Sequence, residues 1–371
     1  MLRKQGLGRL AMTAILTVAT TASAASRLTA FHPGAFWPDR NGAHINAHGG
    51  GLLYDRGVYY WFGEHKVHGE IGNTAQVGVH VYSSTDLYNW RDRGIALAVS
   101  ADPDSAITKG SVIERPKVLR NPRTGKYVMW FHLELKGQGY KAARAGVAVA
   151  DRPVGPYRFV ASFRPNAGFW PLGVTPEEQR PAADNYLARD HDGGQMSRDM
   201  TLFRDDDGKA YQIYSSEENH TLQISELSDD YLRPAGRYVR ALPFGDNEAA
   251  TLFKHKGHYY LITSGLSGWA PNAARSAVAD TILGPWRSLG NPVRGTPEQV
   301  ATTFGGQSNF ALPAPCDPDR IILMFDIWRP KDPIDGRYIW LPIEWEDDKP
   351  VVRWRDSWTL KDICPSGRAG R

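Results

Sequence analysis

Apolar positions along this chain fall in short runs that alternate with polar residues, and turns rich in Gly, Asp and Pro separate the runs. Five times the same order recurs: a small or acidic residue, an apolar pair, a turn, then an aromatic-rich apolar run. The copies read HGGGLLYDRGVYYWFGEH from His48, IERPKVLRNPRTGKYVMWFHLE from Ile113, SRDMTLFRDDDGKAYQIYSSEE from Ser197, NEAATLFKHKGHYYLITSGLSGW from Asn247 and, more loosely, TTFGGQSNFALPAPCDPDRIILMFDIW from Thr302. Short alternating runs bounded by turn residues predict strand, tight turn, strand. Two-residue hairpin loops are expected at Asp207-Gly208 and at the turns holding Gly125 and Gly257, because such loops need φ > 0.

A second echo follows some copies: VAVADRPVGPYRF from Val147 and SAVADTILGPWRS from Ser276, with SSTDLYNWRDR from Ser83 in the equivalent place of the first unit. It reads as an outer strand pair. Successive starts lie 65, 84, 50 and 55 residues apart, enough for a four-stranded sheet with variable loops. Radial repetition of such sheets is a β-propeller. The prediction is therefore all-β, a single five-bladed β-propeller over residues 25–371. A β-sandwich also uses short strands, but the ordered repeat with a polar leading residue favours the propeller. Its blade-start residues should converge on the central channel.

Composition narrows the class. Residues 1–24 have basic Arg3, Lys4 and Arg9, an apolar stretch from Leu10 and an Ala22-Ser23-Ala24 cleavage pattern, which is the form of a secretory signal peptide. The expected product is secreted or periplasmic. No stretch reaches the ~18 apolar residues of a membrane span. The leader holds three positive charges and no acidic residue, so the formal +4 falls to +1 on cleavage. That balance gives no support to nucleic acid as a partner. Export would permit Cys316 and Cys364, the two cysteines, to pair. Residues 164–196 break the pattern with Pro, Gly and charge and read as one long connecting loop, a type that is often functional.

Candidate chemistry sits at the unit starts. Glu114, Asp199 and Glu248 lead three successive units, before RPKVL, MTLF and AATLF. Carboxylates gathered across a cleft are what glycosidic hydrolysis requires: one as a proton donor with raised pKa, others to tune it or to activate water. A lone acidic residue at a strand start is more often a solvated rim charge; three in equivalent places weigh against that. Among 12 Trp, Trp61, Trp130, Trp286 and Trp340 read as core, whereas Trp269 and Trp328 each leave a strand for a loop and are candidate sugar platforms.

The segments NAHGGGLLYDRGVYYWFGE, SRDMTLFRDDDGKAYQIYSSEEN, NEAATLFKHKGHYYLITSGLSGWAPNAA and TFGGQSNF resemble family 43 of the glycoside hydrolases, and within it the exo-β-1,3-galactanase branch. The resemblance runs through essentially the whole chain after the leader. It implies a five-bladed propeller that inverts anomeric configuration, with Glu248 as general acid and Asp199 as the neighbour that keeps its pKa high. Most of the wider family opens the first blade with an aspartate as base, whereas this chain has Ala47-His48-Gly49-Gly50 there. The galactanase branch shares that lack, and the resemblance leaves two candidates for handling water: Gln307, orienting it, also through its imidic acid tautomer, and Glu114, a sugar ligand or an unusual base. A retaining mechanism would instead need a nucleophilic carboxylate, a role open to Glu114. His48, Glu64, Tyr140, Asn219, Ser267, Trp269 and Trp328 are the expected substrate-binding residues. The alternatives are a family 43 enzyme acting on arabinofuranosides or xylosides, and a non-catalytic sugar-binding propeller.

Other motifs do not carry chemistry. Asp205-Asp206-Asp207-Gly208 lacks the glutamate of a calcium loop and reads as a hairpin turn. His65 and His68 belong to no HExxH helix. Gly49-Gly50-Gly51 has no Lys-Ser/Thr after it, and reads as backbone passing close to a ligand or the channel. Asn219-His220-Thr221 matches a glycosylation acceptor, a triplet common by chance. No metal and no cofactor are expected, the partner is a polysaccharide or oligosaccharide, and the expected state is a monomer.

Overall fold

The computed structural model describes residues 27–68, 74, 76–268 and 270–364, so the leader lies outside the described residues. Among these, the strands form five sheets, four of four strands and one of five. Each sheet is an antiparallel meander, except that Val293–Arg294 pairs in parallel with Lys349–Arg353 on the edge of the fifth. The innermost strands are His48–Asp55, Val112–Arg120, Met200–Arg204, Glu248–His255 and Gln307–Ala314. Each touches the next, and the fifth touches the first. That is a five-bladed propeller. The two echoes and their counterpart at Ser83 form the outer strand pairs of blades two, four and one, as expected.

Blades hold together because apolar side chains point out of both faces of each sheet and interlock with the next blade. Phe62, Val81, Ile113, Met129 and Phe131 fill the space between blades one and two. Trp130, Val147, Met200 and Tyr214 lie between two and three, and Tyr211, Ile213, Leu252 and Leu261 between three and four. Burying each such side chain contributes about 1.5–3 kcal/mol. The ring closes through the largest cluster, where Phe31, Trp37, Trp61, Trp90, Trp340 and Trp358 pack between blades five and one. There the N-terminal segment is tied to the C-terminal one by the paired bonds Phe31 N to Trp358 O (2.8 Å) and Trp358 N to Phe31 O (3.2 Å). Tyr338 of blade five donates its hydroxyl to Ile45 O and accepts from Ala47 N, both at 2.8 Å. Cys316 and Cys364 form a disulfide that anchors the C-terminal turn to the far end of blade five. Trp61, Trp130 and Trp340 are core, and Trp286 packs at the edge of a core cluster.

The hairpins correct one expectation. Lys256-Gly257 is a two-residue loop between His255 and His258, with φ of 47° and 84°, and Arg56-Gly57 repeats it. The other two loops are longer: 205–209 separates Arg204 from Ala210, and 121–126 separates Arg120 from Tyr127. Asn and Asp side chains that bond the following backbone make turns of their own. Here Asn121 accepts from the amides of Arg123 and Thr124, and Asp207 from that of Lys209. The triple-aspartate run is a turn, as read.

Candidate active site

The same backbone device opens three blades. Pairing along the first hairpins of blades one, two and four is regular except at their start, where a β-bulge interrupts it after His48, Glu114 and Glu248. The residue after each, Gly49, Arg115 and Ala249, has φ of 64°, 54° and 53°. A bulge bends the strand and re-aims its first side chain; here it turns three lead residues into the channel mouth. Glycine takes this conformation freely, while Arg115 and Ala249 hold it at a cost of about 1–3 kcal/mol each, a kind of strain that gathers at functional sites. Each bulge amide is held by a carboxylate of the preceding blade: Gly49 N donates to Asp326 (2.5 Å), Arg115 N to Glu64 (3.0 Å) and Ala249 N to Asp199 (3.1 Å).

The hairpin register then places a second residue opposite each lead. Glu64 faces His48, His132 faces Glu114, Ser264 faces Glu248 and Asp326 faces Gln307. In blade three, Asp199 O accepts from Ser215 N (2.9 Å). One cavity of about 290 Å³ is lined by His48, Glu64, Glu114, His132, Asp199, Glu248, Gln307 and Asp326, with Tyr140, Arg198, Asn219, Asn272 and Trp328 completing its wall. Thus His48, Glu64, Glu114, Tyr140, Asp199, Asn219, Glu248, Gln307 and Trp328 come together as expected. Ser267 does not: it is exposed and turned into its own loop, donating to Ala270 O and accepting from Asn272 Nδ2. Trp269 lies outside the described residues.

Charge is arranged unevenly around the cavity. Burial, and then the charge of Asp199, push the Glu248 carboxyl up to about 8. Asn219 Nδ2 donates to Glu248 Oε1 at 2.7 Å, which leaves Oε2 as the oxygen that carries the proton. Asn219 ends a turn whose residues Glu217, Glu218 and Asn219 all have positive φ. Arg240 binds both oxygens of Glu217 (2.8 and 2.7 Å), while Arg189, from the long 164–196 loop, and Arg198 hold Glu218 (3.0 and 3.2 Å). The long loop therefore braces the partner of Glu248.

Arg115 runs through the centre. Its Nη2 lies 3.0 Å from Asp199 Oδ2 and donates to Gln307 Oε1 at 2.5 Å, and its Nη1 donates to Ser308 O at 3.0 Å. Burial disfavours the charge, but Asp199, Asp326, Glu64 and Glu114 raise its pKa above the ordinary value, so it stays a cation. Gln307 is fixed at both ends, because its Nε2 donates to Ser264 Oγ at 2.8 Å. Glu114 accepts from Tyr140 at 2.7 Å and pairs with His132 Nδ1 at 2.7 Å. The other His132 nitrogen meets Glu134 at 2.9 Å. Burial works against that imidazolium, yet bonds to Glu114 and Glu134 push it up to about 9. Atoms of Glu114, His132 and Asp199 lie within 4.8 Å of one another, a grouping of metal-ligand types; with both His132 nitrogens on carboxylates and Arg115 on Asp199, the charges of that trio are already paired within the protein.

Below the cavity, Lys117 Nζ reaches Gly49 O (2.9 Å) and Asn309 (3.3 Å), and burial, then Arg115, bring it down to about 7. Lys117 also explains the glycine run: a Cβ on Gly51 would lie 2.5 Å from its side chain, and one on Gly50 1.7 Å from Phe62 O. The close approach is to protein rather than to a ligand. Sequence reasoning missed Arg115, His132, Arg198 and Asp326. Arg115 and Asp326 had a usable signal, the first next to a lead residue and the second two residues before Trp328; His132, inside the run YVMWFHLE, had none.

No protein-family model matches the chain. A solved family 43 β-1,3-galactosidase with galactodeoxynojirimycin is 50% identical, with a TM-score of 0.83 over 89% of this chain and 100% of that one. An exo-β-1,3-galactanase from Phanerochaete chrysosporium, solved as a glutamate-to-glutamine variant with β-1,3-galactotriose, is 33% identical, with a TM-score of 0.75 over 90% of this chain and 68% of that one. A curated β-D-galactofuranosidase of Aspergillus niger is 29% identical over 119 residues, 32% of this chain, which thus spans about a third (34%) of that relative. No helix among the described residues is long and apolar enough to cross a membrane.

Proposed function

The chain belongs to family 43 of the glycoside hydrolases, and from that membership we propose that it is an exo-acting β-1,3-galactanase releasing galactose from the ends of β-1,3-galactan and arabinogalactan chains. The observation that carries the reading is Glu248: a carboxyl in a carboxylate-lined pocket, raised to about 8 and hence protonated at neutral pH, with an oxygen left to donate. Binding a sugar needs no such proton donor. The choice of galactose rests on the relatives, which include a β-1,3-galactosidase and a β-1,3-galactanase solved with galactose-type ligands. A cavity of about 290 Å³ is at the small end for ligand sites and suits a chain terminus better than the middle of a polymer.

In this reading Glu248 protonates the departing glycosidic oxygen, and Asp199 keeps the acid protonated by its like charge. Arg115 fixes Asp199 and Gln307 together, so that Gln307 borders the reacting centre with its amide orientation set. Glu114 and Tyr140, locked to each other, present oxygens to sugar hydroxyls, as do Glu64 and Asn219. Trp328 lies against His48 with ring centroids 4.7 Å apart and lines the same wall as an apolar face. The leader-like residues 1–24 support export of the protein, which would bring it to extracellular polysaccharide.

The test is a substrate panel with purified protein: linear β-1,3-galactan, arabinan, xylan and a β-galactofuranoside. Galactose released from β-1,3-galactan alone supports the reading. Pentose release, or cleavage of the furanoside in preference, would replace galactan with another sugar while leaving the family untouched.

A further inference from the structure

We propose that the end of blade one opposite the channel mouth carries a second binding site, in which Arg40, Arg91 and Arg93 take the carboxylate of an acidic sugar, a uronate residue of a polysaccharide. The site lies outside the active-site cavity and needs no turnover, so it stands apart from the galactanase reading. The innermost strand of blade one starts at the mouth with His48, and its hairpin sets Val58 against Asp55 at the far end. From there the register carries across the sheet: Tyr60 faces Ser83, and Ser83 faces Arg91. Arg93 is two residues further along the same strand and shares the face of Arg91. Asp92, between them, turns to the other side and meets His80 at 2.6 Å.

A cavity of about 510 Å³ lies over this row, within the size range of small-ligand sites. Four guanidinium groups line it, those of Arg27, Arg40, Arg91 and Arg93. Two carboxylates line it as well, and both are turned into their own loops. Asp39 is buried, and its Oδ1 accepts from the amides of Asn41 (2.8 Å) and Ala43 (3.0 Å). Asp86 Oδ1 accepts from the amides of Tyr88 (3.0 Å) and Asn89 (2.8 Å), and its Oδ2 from Asn89 Nδ2 (3.0 Å). Arg27 reaches Asp86 at 3.4 Å. No carboxylate among the described residues pairs with Arg40, Arg91 or Arg93, and all three are exposed.

Unpaired like charges gathered around one cavity repel each other, and an anion between them removes that cost. A guanidinium offers parallel N–H donors that fit both oxygens of a carboxylate. The hydroxyls of Tyr60, Ser83 and Thr85 line the same cavity and can give and accept bonds with sugar hydroxyls. Val58 and Pro38 add apolar surface for the carbons of a ring. An acidic sugar answers all three at once. The chain without residues 1–24 carries a formal charge of only +1, so the excess of arginine here is local. A neutral galactan has no group for these arginines. The site therefore selects chains that carry uronate and holds them on a face that leaves the channel mouth free.

The experiment is frontal chromatography of the purified protein on immobilised polygalacturonate and on immobilised dextran, with glucuronate, glucose or inorganic phosphate as competitor at matched ionic strength. Polygalacturonate retains the wild type and dextran does not; glucuronate releases it and glucose does not. Arg91→Gln together with Arg93→Gln raises Kd about tenfold or more, with Tm and kcat/KM on β-1,3-galactobiose unchanged. Arg158→Gln together with Arg233→Gln removes the same charge from exposed positions on blades two and three and leaves retention as it was. A wild type that is not retained, undiminished retention of the Arg91/Arg93 variant, or an equal loss in both double variants overturns the site. Release by phosphate as readily as by glucuronate, or binding to phosphatidylglycerol vesicles in place of polygalacturonate, overturns the acidic sugar as its ligand. A protein retained in this pattern but inactive on every β-galactoside overturns the galactanase reading alone, so the two fail separately.

Discussion

Replacing Asp199 by asparagine should move the alkaline limit of activity toward acid. Glu248 must be protonated to act, so kcat/KM falls as pH rises through its pKa of about 8. After burial, the charge of Asp199 is the next cause of that high value. A charge within roughly 4–6 Å shifts a carboxyl by about one to three pH units, each unit being about 1.4 kcal/mol. The substitution has a second effect of the same sign. Arg115, now 3.0 Å from Asp199, loses that counter-charge and stabilises an ionised Glu248 more strongly. Asparagine can still accept from Ala249 N, so the bulge keeps its partner. We expect the alkaline limb of kcat/KM to fall by about one to two pH units, with activity at pH 5 largely kept. The assay is initial-rate galactose release between pH 4 and 10. A limb that stays near pH 8 would refute the pairing of these carboxylates, as would one that moves upward.

Further outcomes can be checked alongside it. Glu248→Gln should lower kcat by about 10²–10⁴-fold while binding of β-1,3-galactobiose, read by calorimetry, is retained, because the amide keeps the shape and the bond to Asn219 without a proton to give. His132, raised to about 9, gives stability that is full below its ordinary value of 6.5 and lost as pH rises through 9; on the order of 3 kcal/mol should disappear over that window in urea melts, and His132→Gln should flatten it. Breaking the disulfide with Cys316→Ser and Cys364→Ser together opens a link spanning 48 residues and should cost about 2–4 kcal/mol of stability, seen as a lower Tm. Activity at 25 °C should be unchanged, since Cys316 follows Ala314 at the end of the strand opposite Gln307.

The lead residues were legible because a propeller repeats its register: whatever opens the apolar run of one blade faces what opens the next. His48, Glu114, Asp199, Glu248 and Gln307 therefore converge as read. Their partners were harder, since the residue opposite each lead depends on where the bulge falls and how long the hairpin loop is. Glu64 showed itself at the end of its run and Asp326 stood two residues before Trp328, while His132 looked like a polar interruption of a core strand. The bulges themselves left a trace only at Gly49; Arg115 and Ala249 take the same left-handed conformation with side chains that do not advertise it. Ser267 failed because a loop residue has no register to fix its direction, and its hydroxyl finds a partner within its own turn. Two hairpin loops came out longer than expected because capping by Asn121 and Asp207 substitutes for a tight turn.

The central claim is an acid-assisted, inverting release of galactose at Glu248. It is tested most directly by following digestion of linear β-1,3-galactan by proton NMR and reading the first anomer formed, with Glu248→Gln as control. The account predicts α-galactose first, relaxing to the equilibrium mixture, and no release by the variant. β-Galactose appearing first, or undiminished release by Glu248→Gln, would contradict it.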